Sequence, residues 1–194
     1  MDHWTVSEAL LTYVLENVHP GGTILELGSG DSTRRFISAR RNVITVEHDH
    51  EWVGKVKGAK YIYAPIKFYG PDYVQLPSIA KKISTHCGWY DPMVLGEALR
   101  NQHWDLILVD GPTRAYGRSG FLHHLDLFSQ QSRPWHIVFD DLERVDDLWV
   151  AARVAAKLGC DLRVTNNGEV RTHQKANGDW QADVKKPFGI VRSA

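Results

Sequence analysis

Residues 24–33 read Ile24-Leu25-Glu26-Leu27-Gly28-Ser29-Gly30-Asp31-Ser32-Thr33. The apolar run at the start predicts a buried strand, and Asp31 or Ser32 is a suitable N-cap for a helix at the end. The glycines between them allow a tight turn, where a ligand can approach the backbone without meeting a Cβ atom. Free N–H groups at the start of the helix favour an anionic ligand group. The stretch therefore predicts a strand, a ligand-binding glycine turn and a helix.

Outside this stretch, apolar runs and helical patterns alternate along the chain. Short apolar runs bounded by turn or acidic residues occur at 23–27, 43–46, 106–109 and 136–139, with a weaker one at 60–66. Apolar residues recur at helical spacing at 6–18, 32–39, 51–56, 119–129 and 145–158. The tail, 161–191, predicts two further strands joined by a polar turn. Buried runs of this kind suit parallel strands covered on both faces, so the pattern predicts a doubly wound α/β sheet.

The length and composition fit one folded domain. The chain has 194 residues, of which 43% are hydrophobic and 24% charged, and this is too apolar for intrinsic disorder. We therefore expect a single domain over 1–194. The segment 67–102 interrupts the alternation, is long for a connection and is rich in Tyr, Pro and Gly. Long connections often serve function, so we predict that 67–102 is a substrate lid.

The charge balance excludes some classes of partner. Lys plus Arg (23) equals Asp plus Glu (23), whereas nucleic acids and anionic membranes select for a clustered basic excess.

Only Cys87 and Cys160 are present, too few for a disulfide scaffold or a cysteine zinc site. The N-terminus does not resemble a signal peptide, and no apolar run approaches the ~20 residues of a membrane span. We expect a cytoplasmic protein that acts on a small molecule.

An acid follows the second predicted strand. Glu47 comes about twenty residues after the glycine turn, where a carboxylate can accept both hydroxyls of a ribose. Charged hydrogen bonds of this type contribute roughly 1.5–3 kcal/mol each. Two kinds of adenosine cofactor fit this arrangement: a dinucleotide, and a nucleoside that carries a methionyl group. A dinucleotide site prefers a third glycine where Thr33 stands, and Glu26 would lie close to its pyrophosphate. Glu26 would instead attract the ammonium or sulfonium of a methionyl group.

The pattern Glu-x-Gly-x-Gly at 26–30 resembles the first motif of class I S-adenosylmethionine-dependent methyltransferases. The resemblance implies a Rossmann-like, mostly parallel seven-stranded sheet with a reversed final hairpin formed by the tail. It also implies S-adenosylmethionine as the cofactor. By position, the predicted cofactor-binding residues are Glu26, Gly28, Ser29, Gly30, Glu47, His48 and Asp110.

Acids also follow two later strands. Asp110 ends the run at 106–109, and Asp140 and Asp141 end the run at 136–139. Because ligands bind outside the carboxyl ends of the strands in an open α/β sheet, these acids should face one crevice with Glu26 and Glu47. Gathered carboxylates repel one another unless a cation or an arginine compensates them. The arginines nearby in sequence are Arg114, Arg118 and Arg144.

Two finer resemblances involve these acids. Asp110, Asp140 and Asp141 look like the Asp, Asp and Asn metal ligands of the catechol O-methyltransferase group, which implies Mg²⁺ here, although Asp141 replaces the Asn. The stretches 45–52, 105–112 with 116–118, and 138–144 resemble the glucuronoxylan 4-O-methyltransferase family. That family methylates glucuronic acid and commonly has His-Asp where this chain has Asp140-Asp141.

These patterns predict an O-methyltransferase for a small hydroxylated molecule such as a sugar or uronic acid. Asp110 and Asp141 are the predicted catalytic residues, and Arg114 and Arg118 could bind an acidic substrate in bidentate fashion. Three alternatives stay open: a methyltransferase acting on RNA or protein, an NAD-dependent dehydrogenase, and a non-catalytic nucleotide-binding module. The sequence Asp110-Gly111-Pro112 offers no aromatic side chain to hold an amine, which disfavours the first alternative.

Overall fold

A computed structural model describes residues 6–69, 88–128, 136–165, 171–174, 180–183 and 187–193. Its helices are α1 (Glu8–Asn17), α2 (Asp31–Ser38), α3 (Pro92–Leu99), α4 (Ser119–His123) and α5 (Val145–Leu158). Its strands are β1 (Thr23–Leu27), β2 (Asn42–Glu47), β3 (Lys60–Tyr63), β4 (Ile66–Phe68), β5 (Gly88–Tyr90), β6 (Leu106–Val109), β7 (His136–Phe139), β8 (Asp161–Thr165), β9 (Arg171–Gln174), β10 (Trp180–Asp183) and β11 (Phe188–Arg192). None of the helices in these ranges is long and apolar enough to span a membrane.

The central sheet has seven strands in the order β3-β2-β1-β6-β7-β11-β8. Five of these strands are parallel to one another: β3, β2, β1, β6 and β7. Strand β11 is antiparallel to both β7 and β8. This confirms the predicted mostly parallel, seven-stranded sheet with antiparallel final strands, and β11 is the strand that runs in the opposite direction. Strands β4 with β5 and β9 with β10 form two separate antiparallel pairs.

Alternate residues of the buried strands point to opposite faces of the sheet, as the pleat requires. Leu25 and Leu27 belong to one core with residues of α4 and α5, whereas Ile24 belongs to a second core with Leu10 and Val14 of α1. The sheet is therefore covered on both faces. This arrangement explains why the strands are continuously apolar, and it leaves their carboxyl ends as the place for a site.

Four predicted elements differ in the structure. The tail, predicted as two strands joined by a polar turn, contains four strands, since β9 and β10 form a pair of their own between β8 and β11 in the chain. The residues at 51–56 form hydrogen-bonded turns instead of a helix, and Gly54 has a left-handed φ of +80°. The strand predicted at 60–66 divides at Pro65, which cannot donate a ladder hydrogen bond, into β3 and β4. The helix predicted at 119–129 ends at His123, and a separate 3-10 turn follows over Leu125–Phe128.

Only 67–69 and 88–102 of the predicted lid lie within the described residues. Asp91 accepts a hydrogen bond from the Met93 N–H and Pro92 occupies the first position of α3, a favourable start for a helix. Leu95 of this helix is fully buried, as are Trp89 and Tyr90 of β5. This part of the segment thus contributes to the core. The lid function stays a prediction.

Candidate active site

A cavity of about 280 Å³ opens at the carboxyl ends of the parallel strands. Its wall comes from residues 28–29 after β1, 47–49 at the end of β2 and 110–114 after β6, joined by Trp52, Tyr90, Arg118, Asp141 and Arg144. Five of the predicted cofactor-binding residues line it, namely Gly28, Ser29, Glu47, His48 and Asp110. Sequence reasoning therefore located the crevice, and most of its wall, at the correct edge of the sheet.

The glycine turn is shaped by close backbone approach. Gly28 has a left-handed φ of +92°, and a Cβ atom on it would lie 3.2 Å from Cα of Gly111. The Gly28 N–H donates to the Val46 carbonyl at 2.8 Å, and the Gly111 N–H donates to the Leu27 carbonyl at 2.5 Å. The loops after β1, β2 and β6 are thus tied together, and only glycine fits where they meet.

Glu26 does not line the cavity, contrary to the expectation from the motif. Its side chain is fully buried, and it accepts hydrogen bonds from the Ser32 hydroxyl (2.5 Å) and the Thr33 hydroxyl (2.6 Å). Burial raises the pKa of Glu26 to about 8. The contact of Glu26 with a methionyl ammonium stays a prediction. Glu26 fixes the start of α2 to the end of β1.

Gly30 is not among the residues that line the cavity either. It is the N-cap residue of α2, one position earlier than predicted, and its N–H donates to the Thr33 hydroxyl at 3.0 Å. Thr33, which stands where a dinucleotide site prefers glycine, therefore links Gly30 to Glu26. The hydroxyl carries out a structural task that glycine could not.

Glu47 stands in the cavity wall at the end of β2, as predicted. One carboxylate oxygen accepts from the N–H of Ser29 (3.0 Å) and from its hydroxyl (3.1 Å). The other accepts from the N–H groups of His48 (2.7 Å) and Asp49 (3.0 Å). Burial alone raises the pKa of Glu47, but hydrogen bonds from these three residues outweigh burial and hold the pKa below its usual value. Glu47 is therefore a charged acceptor at neutral pH.

The cavity wall contains the rings of His48, Trp52 and Tyr90. The His48 Nδ1 atom lies 3.0 Å from a Glu47 carboxylate oxygen. Its ring meets Tyr116 edge-on, with centroids 5.3 Å apart, and Tyr90 at 6.1 Å. Trp52 adds a further aromatic surface. Such surfaces suit the flat base of a nucleoside.

The three aspartates after β6 and β7 meet as predicted. Asp110, Asp140 and Asp141 each offer a carboxylate oxygen, and these oxygens lie within 4.8 Å of one another. Asp141 adopts a left-handed φ of +60°, which is uncommon for a residue other than glycine although aspartate tolerates it best. Strain of this kind concentrates at functional sites.

Arg118 lies among these acids and is also part of the cavity wall. Only 3% of its side chain is exposed, and one guanidinium nitrogen reaches Asp141 at 2.8 Å and Asp110 at 3.2 Å. The other donates to the Asp140 backbone carbonyl at 2.7 Å. Burial lowers the pKa of Arg118, but the surrounding aspartates outweigh burial and raise the pKa above its usual value. These contacts hold Arg118 within the aspartate cluster, and its role in binding an acidic substrate stays a prediction.

The same geometry disagrees with a divalent metal site. The Asp141 oxygen that Arg118 contacts at 2.8 Å is also 2.8 Å from the Arg144 guanidinium. Three nearby carboxylates alone would suit Mg²⁺, but two guanidinium groups on one oxygen place positive charge where the ion would bind. The aspartates fit a cluster held by arginines better than a metal site.

The sequence analysis missed one member of this cluster. Asp147 of α5 has a side chain that is 4% exposed, and it lies 3.7 Å from Arg118 and 3.6 Å from Arg144. Burial raises its pKa to about 6. The available signal was the spacing of Arg144 and Asp147, three residues apart at the start of a helix, where side chains are neighbours. Arg114, by contrast, is exposed at the cavity wall, in accordance with its predicted position.

Comparisons with known proteins show the fold. No protein-family model matches the chain, and no curated protein matches it. The C-terminal domain of precorrin-6Y C5,15-methyltransferase from Rhodobacter capsulatus is similar in structure, with a TM-score of 0.59, 11% identity, and coverage of 98% of this chain and 91% of that chain. Precorrin 8w decarboxylase from Methanobacterium thermoautotrophicum matches with a TM-score of 0.58, 13% identity and the same coverage.

A SAM-dependent methyltransferase from Archaeoglobus fulgidus also matches, with a TM-score of 0.53, 9% identity, and coverage of 95% of this chain and 92% of that chain. These similarities extend over nearly the whole length of each chain. The chain therefore has the Rossmann-like fold of these proteins.

Proposed function

We propose that the protein binds S-adenosylmethionine in the 280 Å³ cavity and transfers its methyl group to a hydroxyl oxygen of a small molecule. The observation that carries the proposal is the position of Glu47. Its charged carboxylate stands in the same cavity wall as the glycine turn and Asp110, where an acid after the second strand can accept the hydroxyls of a ribose.

The topology supports a methyltransferase over a dehydrogenase. The dinucleotide-binding fold has the strand order 3-2-1-4-5-6 with parallel strands. Here the reversed strand β11 is inserted between β7 and β8. The structurally similar proteins include methyltransferases.

The cavity residues fit the proposed cofactor. At the Gly28–Gly111 junction the absence of side chains keeps the cavity wall free of Cβ atoms, and Glu47 would hold the ribose. Ser29 donates its hydroxyl to Glu47 in this structure, so a ribose hydroxyl would replace that bond by an equivalent one. When bound, S-adenosylmethionine supplies an electrophilic methyl group.

Of the two predicted catalytic aspartates, Asp110 suits the role of general base better. Its side chain is 29% exposed and lines the cavity, so its carboxylate can accept a proton from an acceptor hydroxyl. The Asp141 side chain is 4% exposed and is shared by two arginines. We assign Asp141 a positioning role: it holds Arg118, which in turn holds Asp110.

The acceptor proposed is a small hydroxylated molecule, with a sugar or uronic acid as the favoured class. Arg114 is exposed at the cavity wall and could bind a carboxylate. The balanced charge of the chain argues against RNA as the acceptor, because RNA binding relies on a basic surface.

Transfer of a labelled methyl group tests the proposal. S-adenosylmethionine carrying a tritiated methyl group is incubated with wild-type protein and a panel of sugars, uronic acids and phenols. We expect label in an O-methylated product, and we expect Asp110→Asn to lose transfer while it still binds S-adenosylhomocysteine. Label found on nitrogen or carbon, or equal transfer by Asp110→Asn, would contradict the proposed reaction.

A further inference from the structure

Tyr90, a residue of the cavity wall, carries an unusual polar group. Its side chain is fully buried, yet it is part of the cavity wall. Its hydroxyl has no hydrogen-bond partner among the residues that the structure describes. Burying a hydroxyl without a partner is unfavourable, and nearly all buried polar groups in proteins are hydrogen-bonded. The exception requires an explanation.

The position of the hydroxyl is fixed by its surroundings. The Tyr90 ring contacts Trp89 and His48 edge-on, with centroids 5.1 Å and 6.1 Å apart. A Cβ atom on Gly111 would lie 2.5 Å from the Tyr90 hydroxyl oxygen, so the absence of a side chain at Gly111 leaves room for this group. The hydroxyl is thus held at the junction of Gly28 and Gly111, where the loops after β1 and β6 meet.

The electrostatic surroundings keep the hydroxyl protonated. Burial and the nearby Glu47 carboxylate raise the pKa of Tyr90 well above its usual value. The group therefore offers both an O–H donor and an oxygen acceptor at neutral pH. A ligand with either kind of polar atom could satisfy it.

We infer that the Tyr90 hydroxyl is a ligand-binding group that forms a hydrogen bond to the nucleoside or amino-acid part of the bound cofactor. The inference rests on the proposed cofactor site. It assigns a binding residue to β5, inside the segment predicted as a lid, and so connects that segment to the cavity. The chain keeps a buried hydroxyl unpaired because the ligand completes it.

The substitution Tyr90→Phe removes the hydroxyl and leaves the ring. Because the hydroxyl is unpaired in the free protein, we expect the melting temperature of free Tyr90→Phe to equal or exceed that of the wild type. Because the hydroxyl contacts the ligand, we expect S-adenosylhomocysteine to bind this variant about 5- to 20-fold more weakly, as for loss of one hydrogen bond. Calorimetric titration and thermal unfolding measure the two effects.

Tyr61→Phe is the matched control. The Tyr61 hydroxyl accepts a hydrogen bond from the Val56 N–H at 3.1 Å, and Tyr61 is not part of the cavity wall. We expect Tyr61→Phe to lower the melting temperature and to leave S-adenosylhomocysteine binding unchanged. Tyr90→Phe should therefore weaken ligand binding without lowering the melting temperature, whereas Tyr61→Phe should lower the melting temperature without weakening ligand binding.

Adenosine as a second probe locates the contact. Weaker binding of both adenosine and S-adenosylhomocysteine to Tyr90→Phe places it on the nucleoside, and weaker binding of S-adenosylhomocysteine alone places it on the amino-acid part; either result supports the inference. Equal affinity of the wild type and Tyr90→Phe, or a lower melting temperature of the free variant, would overturn it. Absence of S-adenosylhomocysteine binding by the wild type would overturn the proposed function itself.

Discussion

The two halves of the crevice hold their acids in different ways. At the β1–β2 half, Glu26 and Glu47 accept hydrogen bonds from hydroxyl and N–H groups. At the β6–β7 half, Asp110 and Asp141 are paired with the full positive charge of Arg118. The same sheet edge therefore carries one half stabilised by dipoles and another stabilised by ion pairs.

The difference shows which half can exchange partners with a ligand. A carboxylate bound by hydroxyl groups can accept a ligand hydroxyl in place of one of them at little cost. A buried ion pair cannot lose a partner without leaving an uncompensated charge. We therefore expect the β1–β2 half to bind the ligand and the β6–β7 half to maintain a fixed geometry around Asp110.

The largest expected effect is a loss of stability when Arg118, which pairs with the aspartates of the β6–β7 half, is replaced. Arg118→Met leaves the surrounding aspartates without their buried cation, and we expect the free energy of unfolding to fall by about 3–5 kcal/mol. Arg34→Met is the control, because the Arg34–Asp31 pair is exposed and contributes less than about 1 kcal/mol. Urea denaturation compares them. Similar losses in both variants would show that the β6–β7 half does not depend on its ion pairs.

The next effect concerns ligand affinity at the first half. Glu47→Gln removes the charge that accepts ribose hydroxyls, so we expect S-adenosylhomocysteine to bind at least about tenfold more weakly, equivalent to ~1.4 kcal/mol. Glu51→Gln, four residues away and exposed, should leave binding unchanged. Calorimetric titration measures both. If Glu47→Gln binds as the wild type does, the ribose contact is wrong.

Within the β1–β2 half, a smaller effect on the pH dependence of stability distinguishes Glu26 from Glu47. The pKa of Glu26 is raised from 4.5 to about 8, so between these values the folded state binds a proton that the unfolded state lacks. The free energy of unfolding therefore receives a contribution that falls as pH rises through this window, by about 1.4 kcal/mol per pH unit.

Glu26→Gln should remove that contribution. We expect its free energy of unfolding to decline less steeply than that of the wild type between pH 5 and pH 8 by about that slope. The exposed Glu97→Gln is the control and should follow the wild type. Urea denaturation at a series of pH values gives the slopes. Parallel curves for the wild type and Glu26→Gln would show that Glu26 is ionised in the fold.

The smallest effect is expected from divalent cations. Because Arg118 and Arg144 contact the same Asp141 oxygen, we expect millimolar Mg²⁺ to leave the melting temperature unchanged. Methyl transfer should likewise be unaffected by a chelator. A rise in melting temperature with Mg²⁺ that is absent in Asp141→Asn would establish a metal site at the β6–β7 half.

The residues at the carboxyl edge of the sheet were predicted well, because the buried strands are largely apolar and a charged residue marks where strands such as β6 and β7 end. Runs such as 106–109 are apolar throughout and end at an acid, so the strand and the position of Asp110 follow together. The direction in which the Glu26 side chain points was not predictable from its motif. It depends on which face of β1 the helix α2 covers, and on hydroxyl groups at Ser32 and Thr33 that reach back to it.

The roles of Arg118 and Tyr90 depend on contacts between distant segments. Arg118 approaches Asp141 across 23 residues, and nothing in local spacing shows that it is buried whereas Arg114 is exposed. Tyr90 reaches the cavity from β5, outside the main sheet, where strand alternation gives no information. The start of α3 was not predicted, although Asp91 followed by Pro92 is a local signal for the beginning of a helix.

Calorimetric titration of the wild-type protein tests the cofactor most directly. With S-adenosylhomocysteine and NADH as separate ligands, we expect one-site binding of S-adenosylhomocysteine and no measurable heat for NADH. Saturable binding of NADH, with no heat for S-adenosylhomocysteine, would contradict the methyltransferase assignment and favour a dehydrogenase.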